Sequence, residues 1–169
     1  MQHSNMLGLE KRLEVDDFIV SKTDANGKII YGNRTFINMS GYEERELLGA
    51  PHSILRHPDM PKIVFKLLWE RIKNKQEIFA YVKNLCKDGS YYWVFANSTV
   101  TVDTNGRIRD FHSVRRKPST KAMNIIPTLY ASLLQAERNG GLEASKRLLD
   151  TTLNEQGVDY DTFVLTIQQ

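Results

Sequence analysis

The fold of this chain is decided by residues 78–115, IFAYVKNLCKDGSYYWVFANSTVTVDTNGRIRDFHSVR. β-branched and aromatic residues are concentrated in three segments, which are separated by the short polar stretches KDGS and DTNG. Asp, Asn and Gly supply the backbone geometry that tight hairpin turns require. The stretch therefore predicts three consecutive antiparallel strands. These strands are 78–85, 91–102 and 108–115.

The sequence before this stretch predicts two shorter strands and then helices. Residues 18–20 and 29–31 flank a DANG turn and are expected to pair as a hairpin. A short helix should run from an Asn33 cap to Met39 and end at Gly41. The EERELLG motif should add one helical turn, whereas the proline-rich PHSILRHPDMP segment is expected to be irregular.

A longer helix is expected from Pro61, which suits a first helical turn, to about Asn74. Apolar residues recur through it at helical spacing, with Trp69 among them. The order of strand, strand, short helices, longer helix and three strands indicates an α+β fold. Its predicted form is an antiparallel sheet of about five strands with helices on one face.

Both ends of the chain carry helical patterns outside this α+β unit. Residues 6–15 are predicted to form a weak amphipathic helix. After Ser119, two leucine-rich stripes separated by Gly140-Gly141 are typical of a helical hairpin, and Asp159 can cap a last short helix. We therefore expect three parts. They are an N-terminal helical cap (1–14), a central domain (15–118) and a C-terminal helical tail (119–169).

Composition and charge exclude several classes of protein. Hydrophobic residues make up 41% and charged residues 25% of the chain, which is ordinary globular composition. The net charge of +3 is spread without a basic stripe, so nucleic-acid binding is not expected. No apolar run approaches the ~20 residues of a membrane helix, and the first residues lack a signal-peptide pattern. A cytoplasmic protein is therefore expected.

The sequence also lacks the patterns of an enzyme. It contains no glycine-rich phosphate loop, no metal-ligand cluster and no paired carboxylates in a suitable context. Cys86 is the only cysteine, so an internal disulfide is excluded, and no neighbouring base would activate its thiol. We therefore expect a protein that is not an enzyme.

The densest polar cluster is Arg56-His57-Pro58-Asp59, which lies in an otherwise apolar neighbourhood. An arginine can donate two parallel hydrogen bonds to a phosphate, and a carboxylate accepts from hydroxyl groups. Two interpretations follow from the residues alone. The cluster either binds a phosphate-bearing ligand, or Asp59 caps the longer helix while Arg56 is solvated.

Three segments are more specific than any single motif. They are NRTFINMSGYEERELLGAPHSILRHPDMPK at 33–62, KNLCKDGSYYWVFAN at 83–97 and SVR at 113–115. Together they resemble the PAS domain of bacterial aerotaxis and redox receptors, over roughly residues 14–118 and the IIPTLYASLL stretch that follows. The resemblance implies FAD held noncovalently between the helices and the sheet. It also implies a redox or oxygen signal that is relayed to a downstream signalling protein.

The resemblance implies six cofactor-binding residues. They are Arg56, His57, Asp59, Trp69, Asn84 and Arg115. In flavin-binding relatives an Asn faces the ring from the strand that precedes the longest one, and Asn84 occupies the matching place. Trp69 would stack on the ring, although an aromatic residue at helical spacing is also typical of a plain core. An inward Arg115 needs an anion or strong acceptors. It therefore either meets the charge of a reduced flavin or pairs with an acidic side chain.

Alternation along residues 91–102 separates the two faces of the sheet. Val94 and Ala96 share the face expected for Asn84 and are small enough to leave room for a ring. Trp93 and Phe95 then lie on the outer face, where two apolar rings need a cover. We expect that cover to be the N-terminal helix, the tail or a second copy of the chain. A homodimer is the favoured arrangement.

Two alternative functions follow from the same sequence. A haem-based gas sensor would use His57 as the only plausible axial ligand, and a ligand-free interaction module would dimerise through Trp93 and Phe95. Light-sensing flavin domains of this fold carry a reactive cysteine in the segment that corresponds to 52–59, and this chain has none there. Cys86 is therefore expected to be a small strand residue with no photochemical role.

Overall fold

The β-sheet of the computed structural model, which describes residues 8–169, has five antiparallel strands. They are β1 (Ile19–Asp24), β2 (Ile29–Gly32), β3 (Ile78–Leu85), β4 (Tyr91–Val102) and β5 (Ile108–Arg116). Their spatial order is β2-β1-β5-β4-β3, so that the first and last strands of the sequence are neighbours. The predicted five-stranded α+β fold is confirmed, and β1 runs further than expected, to Asp24.

Short helices cover the inner face of this sheet. They are α1 (Arg34–Ser40), α2 (Glu44–Leu47), a 3₁₀ helix (His52–Leu55) and α3 (Lys62–Lys73). The side chain of Asn33 accepts a hydrogen bond from the Phe36 N–H, and Gly41 ends α1 with a φ of 75°, as the capping pattern predicts. The 3₁₀ helix corrects the expectation of an irregular segment. Its flanking Pro51 has a φ of −66°, which is compatible with the start of a helix.

The tail consists of α4 (Thr120–Gln156) and α5 (Tyr160–Gln168). The backbone of α4 is interrupted at Gly141, whose φ of 74° and ψ of −170° are not helical. This interruption confirms the predicted break between two helical segments. The side chain of Asp159 caps α5 by accepting a hydrogen bond from the Thr162 N–H, which was also predicted.

The tail packs on the outer face of β3 and β4. The residues buried in this layer include Tyr81, Trp93, Phe95, Ala122, Ile126, Tyr130, Leu133, Leu149, Leu153, Phe163, Val164 and Ile167. The cover over Trp93 and Phe95 is therefore the chain's own tail. Of the three expected covers the tail is the one observed, and it leaves the two rings too little exposed apolar surface for a contact with a second copy.

Tyrosine hydroxyls anchor the tail to the backbone of β3. The hydroxyl of Tyr130 donates to the carbonyl oxygen of Tyr81 at 2.7 Å, and that of Tyr160 donates to Phe79 at 2.9 Å. The hydroxyl of Tyr81 donates in turn to the carbonyl oxygen of Val164 at 2.9 Å. These hydrogen bonds satisfy polar groups inside an apolar layer and fix how the tail lies on the sheet.

The described part of the predicted N-terminal helix, residues 8–15, is not helical, and Glu10 forms a β-bridge with Tyr91 instead. The backbone N–H of Lys11 donates to Tyr91 at 2.7 Å, and the N–H of Tyr91 donates to Leu9 at 2.9 Å. These bonds to β4 satisfy backbone groups that a helix would have paired internally. Of the apolar residues in the segment, only Leu13 is buried. The rest of the predicted helix, residues 6 and 7, lies outside the described residues.

The inner core lies between the sheet and the short helices. Its buried residues are Leu13, Ile19, Ile29, Phe36, Leu47, Leu55, Cys86, Tyr92, Val94 and Ala96. Val94 and Ala96 thus lie on the opposite face from Trp93 and Phe95, so the predicted alternation of β4 is confirmed. Within residues 8–169, none of the helices combines the length and the apolar character that crossing a bilayer requires.

Candidate functional site

A cavity of about 270 Å³ lies between the inner face of the sheet and α3. On the sheet side its lining includes Ser21, Thr23, Val82, Asn84, Ala96, Ser98 and Arg115. On the helical side it includes His52, Leu55, Arg56, Phe65, Leu68, Trp69 and Ile72. Four of the six predicted site residues are therefore brought together here. They are Arg56, Trp69, Asn84 and Arg115.

Arg115 is a buried cation in the wall of this cavity, with 2% of its surface exposed. Its guanidinium donates to the hydroxyl oxygen of Ser21, and Nη1 lies 3.4 Å from Nε2 of His52. Among residues 8–169 no carboxylate forms a salt bridge with it, so the interpretation that it pairs with an acidic side chain is wrong. Burial lowers the pKa of Arg115 to about 10, which leaves it charged at neutral pH.

His52 is a cavity residue that the sequence did not single out. Its ring stacks on Phe36 with 6.3 Å between centroids and an interplanar angle of 7°. Burial, and then the charge of Arg115, lower the pKa of His52 to about 3. The imidazole is therefore neutral, and its Nε2 can accept a hydrogen bond from Arg115 or from the hydroxyl of Ser21. Because residues 51–61 were expected to be irregular, the sequence carried no signal for the direction of this side chain.

Three buried polar atoms near this wall have no hydrogen-bond partner among the described residues. They are Nδ2 of Asn84, the hydroxyl of Tyr92 and Nε of Arg115. Asn84 and Tyr92 are directly paired across β3 and β4, with 3% and 0% of their surfaces exposed. Leaving a buried donor unpaired costs about 1–3 kcal/mol. Two of the three atoms can only donate, so this end of the cavity suits a ligand that presents acceptors.

Arg56 and Trp69 lie at the open side of the cavity. Arg56 is exposed, its guanidinium lies 3.9 Å from the centroid of the Phe65 ring, and its backbone forms a bridge with Asn84. Trp69 is 42% exposed, and its ring packs edge-on against that of Phe111 with 5.7 Å between the ring centroids. Trp69 is thus not a plain core residue. Both side chains are placed to contact the part of a ligand that projects from the cavity.

His57 and Asp59 do not line the cavity, contrary to expectation. Nδ1 of His57 accepts a hydrogen bond from the Asp59 N–H at 3.0 Å, and its ring meets Tyr91 edge-on at 5.8 Å. The carboxylate of Asp59 accepts from Nζ of Lys83 at 2.8 Å. Asp59 is therefore paired with Lys83 outside the cavity lining, and it is not the cap of α3, whose N-cap position is Pro61. A haem bound through His57 has no basis in this geometry, because that ring is turned away from the cavity.

Cys86 is buried in the inner core and is not among the residues that line the cavity. Its thiol donates to the carbonyl oxygen of Met39 at 3.2 Å. Burial raises the pKa of the Cys86 thiol, so the reactive thiolate is disfavoured. The expectation that it is a small structural residue agrees with this position.

The chemistry of the cavity fits a flavin. A flavin ring has carbonyl oxygens and ring nitrogens along one edge and an apolar edge opposite. Asn84 and Arg115 supply donors to one side, while Leu68, Ile72 and Val82 supply apolar walls. Ligand sites commonly occupy about 300–1,000 Å³, so a cavity of ≈ 270 Å³ has room for a ring system and not for a whole dinucleotide. The remainder of such a ligand would lie on the side of Arg56 and Trp69.

Comparison with known proteins gives relatives of the same architecture. Over 118 residues the chain is 37% identical to the aerotaxis receptor of Escherichia coli (strain K12), which covers 70% of this chain and 23% of the receptor. The light-state structure of the blue-light photoreceptor Aureochrome1 LOV is 26% identical, with a TM-score of 0.53 over 73% of this chain and 91% of that one. A light-oxygen-voltage domain studied with a flavin analogue is 23% identical, with a TM-score of 0.54 over 72% and 86%.

The chain spans less than a quarter of the length of the aerotaxis receptor. The family model described as PAS fold matches residues 29–115, which is just over half of the chain. This range contains the 3₁₀ helix, α3, β3, β4 and all of β5 except its last residue, and therefore most of the cavity wall. On the fold and on this match, the chain belongs to the PAS fold family.

Proposed function

We propose that this chain is a sensory module that binds FAD noncovalently in the cavity between the sheet and α3. The observation that carries the proposal is the buried guanidinium of Arg115, which has no carboxylate partner among the described residues. Its partners, Ser21 and the neutral His52, carry no charge, and a buried cation without an anionic partner is costly. Arg115 and the unpaired Nδ2 of Asn84 together leave donors in the cavity wall without full partners. A ligand edge rich in oxygen and nitrogen acceptors would supply those partners.

Each side chain would have a distinct part in holding the cofactor. The amide of Asn84 can both donate and accept, so it suits the mixed edge of a flavin ring. The guanidinium of Arg115 donates and places a positive charge at that edge. The neutral His52 holds Arg115 in position without adding a second charge. Arg56 at the opening suits a phosphate, and Trp69 suits an aromatic group of the ligand.

His57 and Asp59 would act on the cofactor only indirectly in this proposal. Asp59 binds Lys83, the ring of His57 packs on Tyr91, and Lys83 lies over the Tyr91 ring. These contacts fix the segment that carries Arg56. The choice of FAD over FMN is supported by the resemblance to redox receptors and by Arg56 at the cavity opening. His57 and Asp59 add nothing to this choice, because they lie outside the cavity lining.

A bound flavin supplies reversible electron uptake, and it becomes more negative at the edge of its ring when reduced. The charge of Arg115 would favour that state, so the sheet beside it would register the redox change. We propose that the signal passes through the sheet and the tail to a downstream signalling protein in the cytoplasm. The relative named as an aerotaxis receptor supports a role in redox or oxygen sensing. Homodimerisation stays a prediction, with a surface other than Trp93 and Phe95.

Absorption of the purified protein tests the proposal. A flavoprotein shows bands near roughly 375 and 450 nm, and cofactor released by heat and separated by chromatography is identified as FAD or FMN. We expect FAD at near-stoichiometric occupancy, and Asn84→Ala should lower that occupancy. Asn97→Ala is the matched control, since Asn97 lies on β4 outside the cavity lining and its side-chain amide donates a hydrogen bond to Glu77.

The result that would overturn the proposal is a protein that stays colourless after incubation with both FAD and FMN. A Soret band would point instead to haem. Equal loss of flavin in the Asn84 and Asn97 variants would show that the cavity is not the site.

A further inference from the structure

α3 has the cavity on one face and the tail on the other. The residues of α3 that line the cavity are Phe65, Leu68, Trp69 and Ile72. The opposite face belongs to the layer that the tail covers, where Ile63 and Val64 are buried. The position of this helix therefore depends on what fills the cavity and on how the tail is docked.

The N-terminus of α3 is capped by a residue of the tail. Its first residue is preceded by Pro61, which has no backbone N–H and no side chain that can cap. The N–H of Ile63 donates instead to Oε1 of Glu137 at 3.0 Å. A carboxylate at this end of a helix is favoured by the helix dipole and satisfies an N–H that has no partner within the helix.

The same carboxylate contacts a second part of the tail. The hydroxyl of Ser145, which is completely buried, lies 3.2 Å from Oε1 of Glu137 and 2.9 Å from the carbonyl oxygen of Leu142, so its single proton is shared between these two acceptors. Glu137 precedes the interruption at Gly141 and Ser145 follows it, so one carboxylate joins α3 to both segments of α4. At the other end of α3, Nη1 of Arg71 lies 2.9 Å from Oδ2 of Asp161 on α5.

We propose that Glu137 is a positioning residue of the cofactor site, and that it couples occupancy of the cavity to docking of the tail. This inference rests on the proposed flavin function. By accepting the hydrogen bond from Ile63, Glu137 fixes the position of α3 relative to the sheet, and this position places Trp69 and Phe65 in the cavity lining. A ligand in the cavity supports α3 from the other side and thereby keeps Ile63 in reach of the carboxylate. By linkage, cofactor binding and tail docking must then strengthen each other by the same factor.

The test compares flavin affinity in three variants of the full chain. Glu137→Ala removes the acceptor, and we expect the Kd for FAD to rise about threefold to tenfold, the range that loss of a helix cap can produce. Glu137→Gln keeps an acceptor oxygen and should restore most of the affinity. Asp150→Ala is the control, because Asp150 is an exposed residue of α4 whose carboxylate accepts a hydrogen bond from Lys146 and not from α3.

A cap that is merely structural would destabilise the free and the FAD-bound protein equally and leave the Kd unchanged, and that result would overturn the proposal. Hydrogen exchange of the Ile63 amide in the flavin-free protein gives a second readout. Unchanged protection in Glu137→Ala would sink the capping role whether or not flavin binds. If the wild-type chain binds no flavin but the Ile63 amide loses protection in Glu137→Ala, the capping role is supported. The proposed flavin function is then the part that is wrong.

Discussion

The guanidinium of Arg115 and the imidazole of His52 face each other at 3.4 Å in the wall of the cavity. Because Arg115 carries a permanent charge, protonation of His52 would place two cations side by side. Burial, and then this charge, lower the pKa of His52 to about 3. The Arg115–His52 pair therefore carries one positive charge across the physiological pH range.

The first prediction concerns stability at low pH. The pKa of His52 falls from 6.5 to about 3 on folding, so the unfolded chain binds a proton in this interval that the folded chain does not. Stability should therefore decrease as pH is lowered from 6.5, by at most about 1.4 kcal/mol per pH unit from this group. His52→Gln keeps an acceptor and cannot titrate, so its loss of stability should be shallower. Urea unfolding at pH 7, 6 and 5 measures the difference, and parallel curves would contradict it.

The second prediction separates stability from function at Arg115. Arg115→Met removes a buried charge that lacks a carboxylate partner, so the flavin-free protein should become more stable by about 1 kcal/mol or more. The same variant should lose flavin, because the ligand edge loses its donor. Thermal unfolding of the flavin-free protein and flavin content after purification are the two measurements. A variant that is less stable and still yellow would refute both parts.

The third prediction concerns removal of the tail. A chain that ends at Lys117 exposes Tyr81, Trp93 and Phe95, which the tail normally covers. We expect this shortened chain to self-associate at roughly tens of micromolar, more strongly than the whole chain. Light scattering on both chains is the measurement. If the shortened chain is monomeric and folded while the whole chain is a dimer, the tail itself forms the contact between copies.

The fourth prediction concerns blue light. Cys86 lies outside the cavity lining and its thiol donates to Met39, so illumination of the flavin-loaded protein should give no thiol adduct. The absorption near roughly 450 nm should not convert reversibly to a species near 390 nm. Cys86→Ala should behave like the wild type in the same measurement. A reversible conversion that this substitution abolishes would contradict the prediction.

Much of the fold could be predicted because local patterns and global packing agree. The alternation of Trp93 and Phe95 with Val94 and Ala96 assigned the two faces of β4, and the Gly140-Gly141 pair located the break in the tail. Asn84 and Arg115 were placed in the cavity because a strand fixes the direction of its side chains.

The direction of side chains in irregular segments could not be predicted in the same way. Arg56, His57 and Asp59 are adjacent in sequence, but only Arg56 lines the cavity. His57 and Asp59 turn towards Tyr91 and Lys83, which lie on strands far away in sequence. Likewise, residues 8–15 have a helical pattern, yet their backbone pairs with β4, and this pairing depends on a neighbour that periodicity does not reveal.

The start and the end of the tail meet at one point. The hydroxyl of Ser119 donates to the carbonyl oxygen of Ile167 at 2.5 Å, and the N–H of Ser119 donates to the side chain of Gln168 at 3.1 Å. Residues 119–168 are thus covalently linked to the sheet only through the short connection at Lys117-Pro118, and every other contact of the tail with the sheet is noncovalent. If that connection straightened, two chains could exchange tails and restore every buried contact on each other's sheet. Domain exchange of this kind would give a homodimer with no interface beyond the one that each chain already makes with itself.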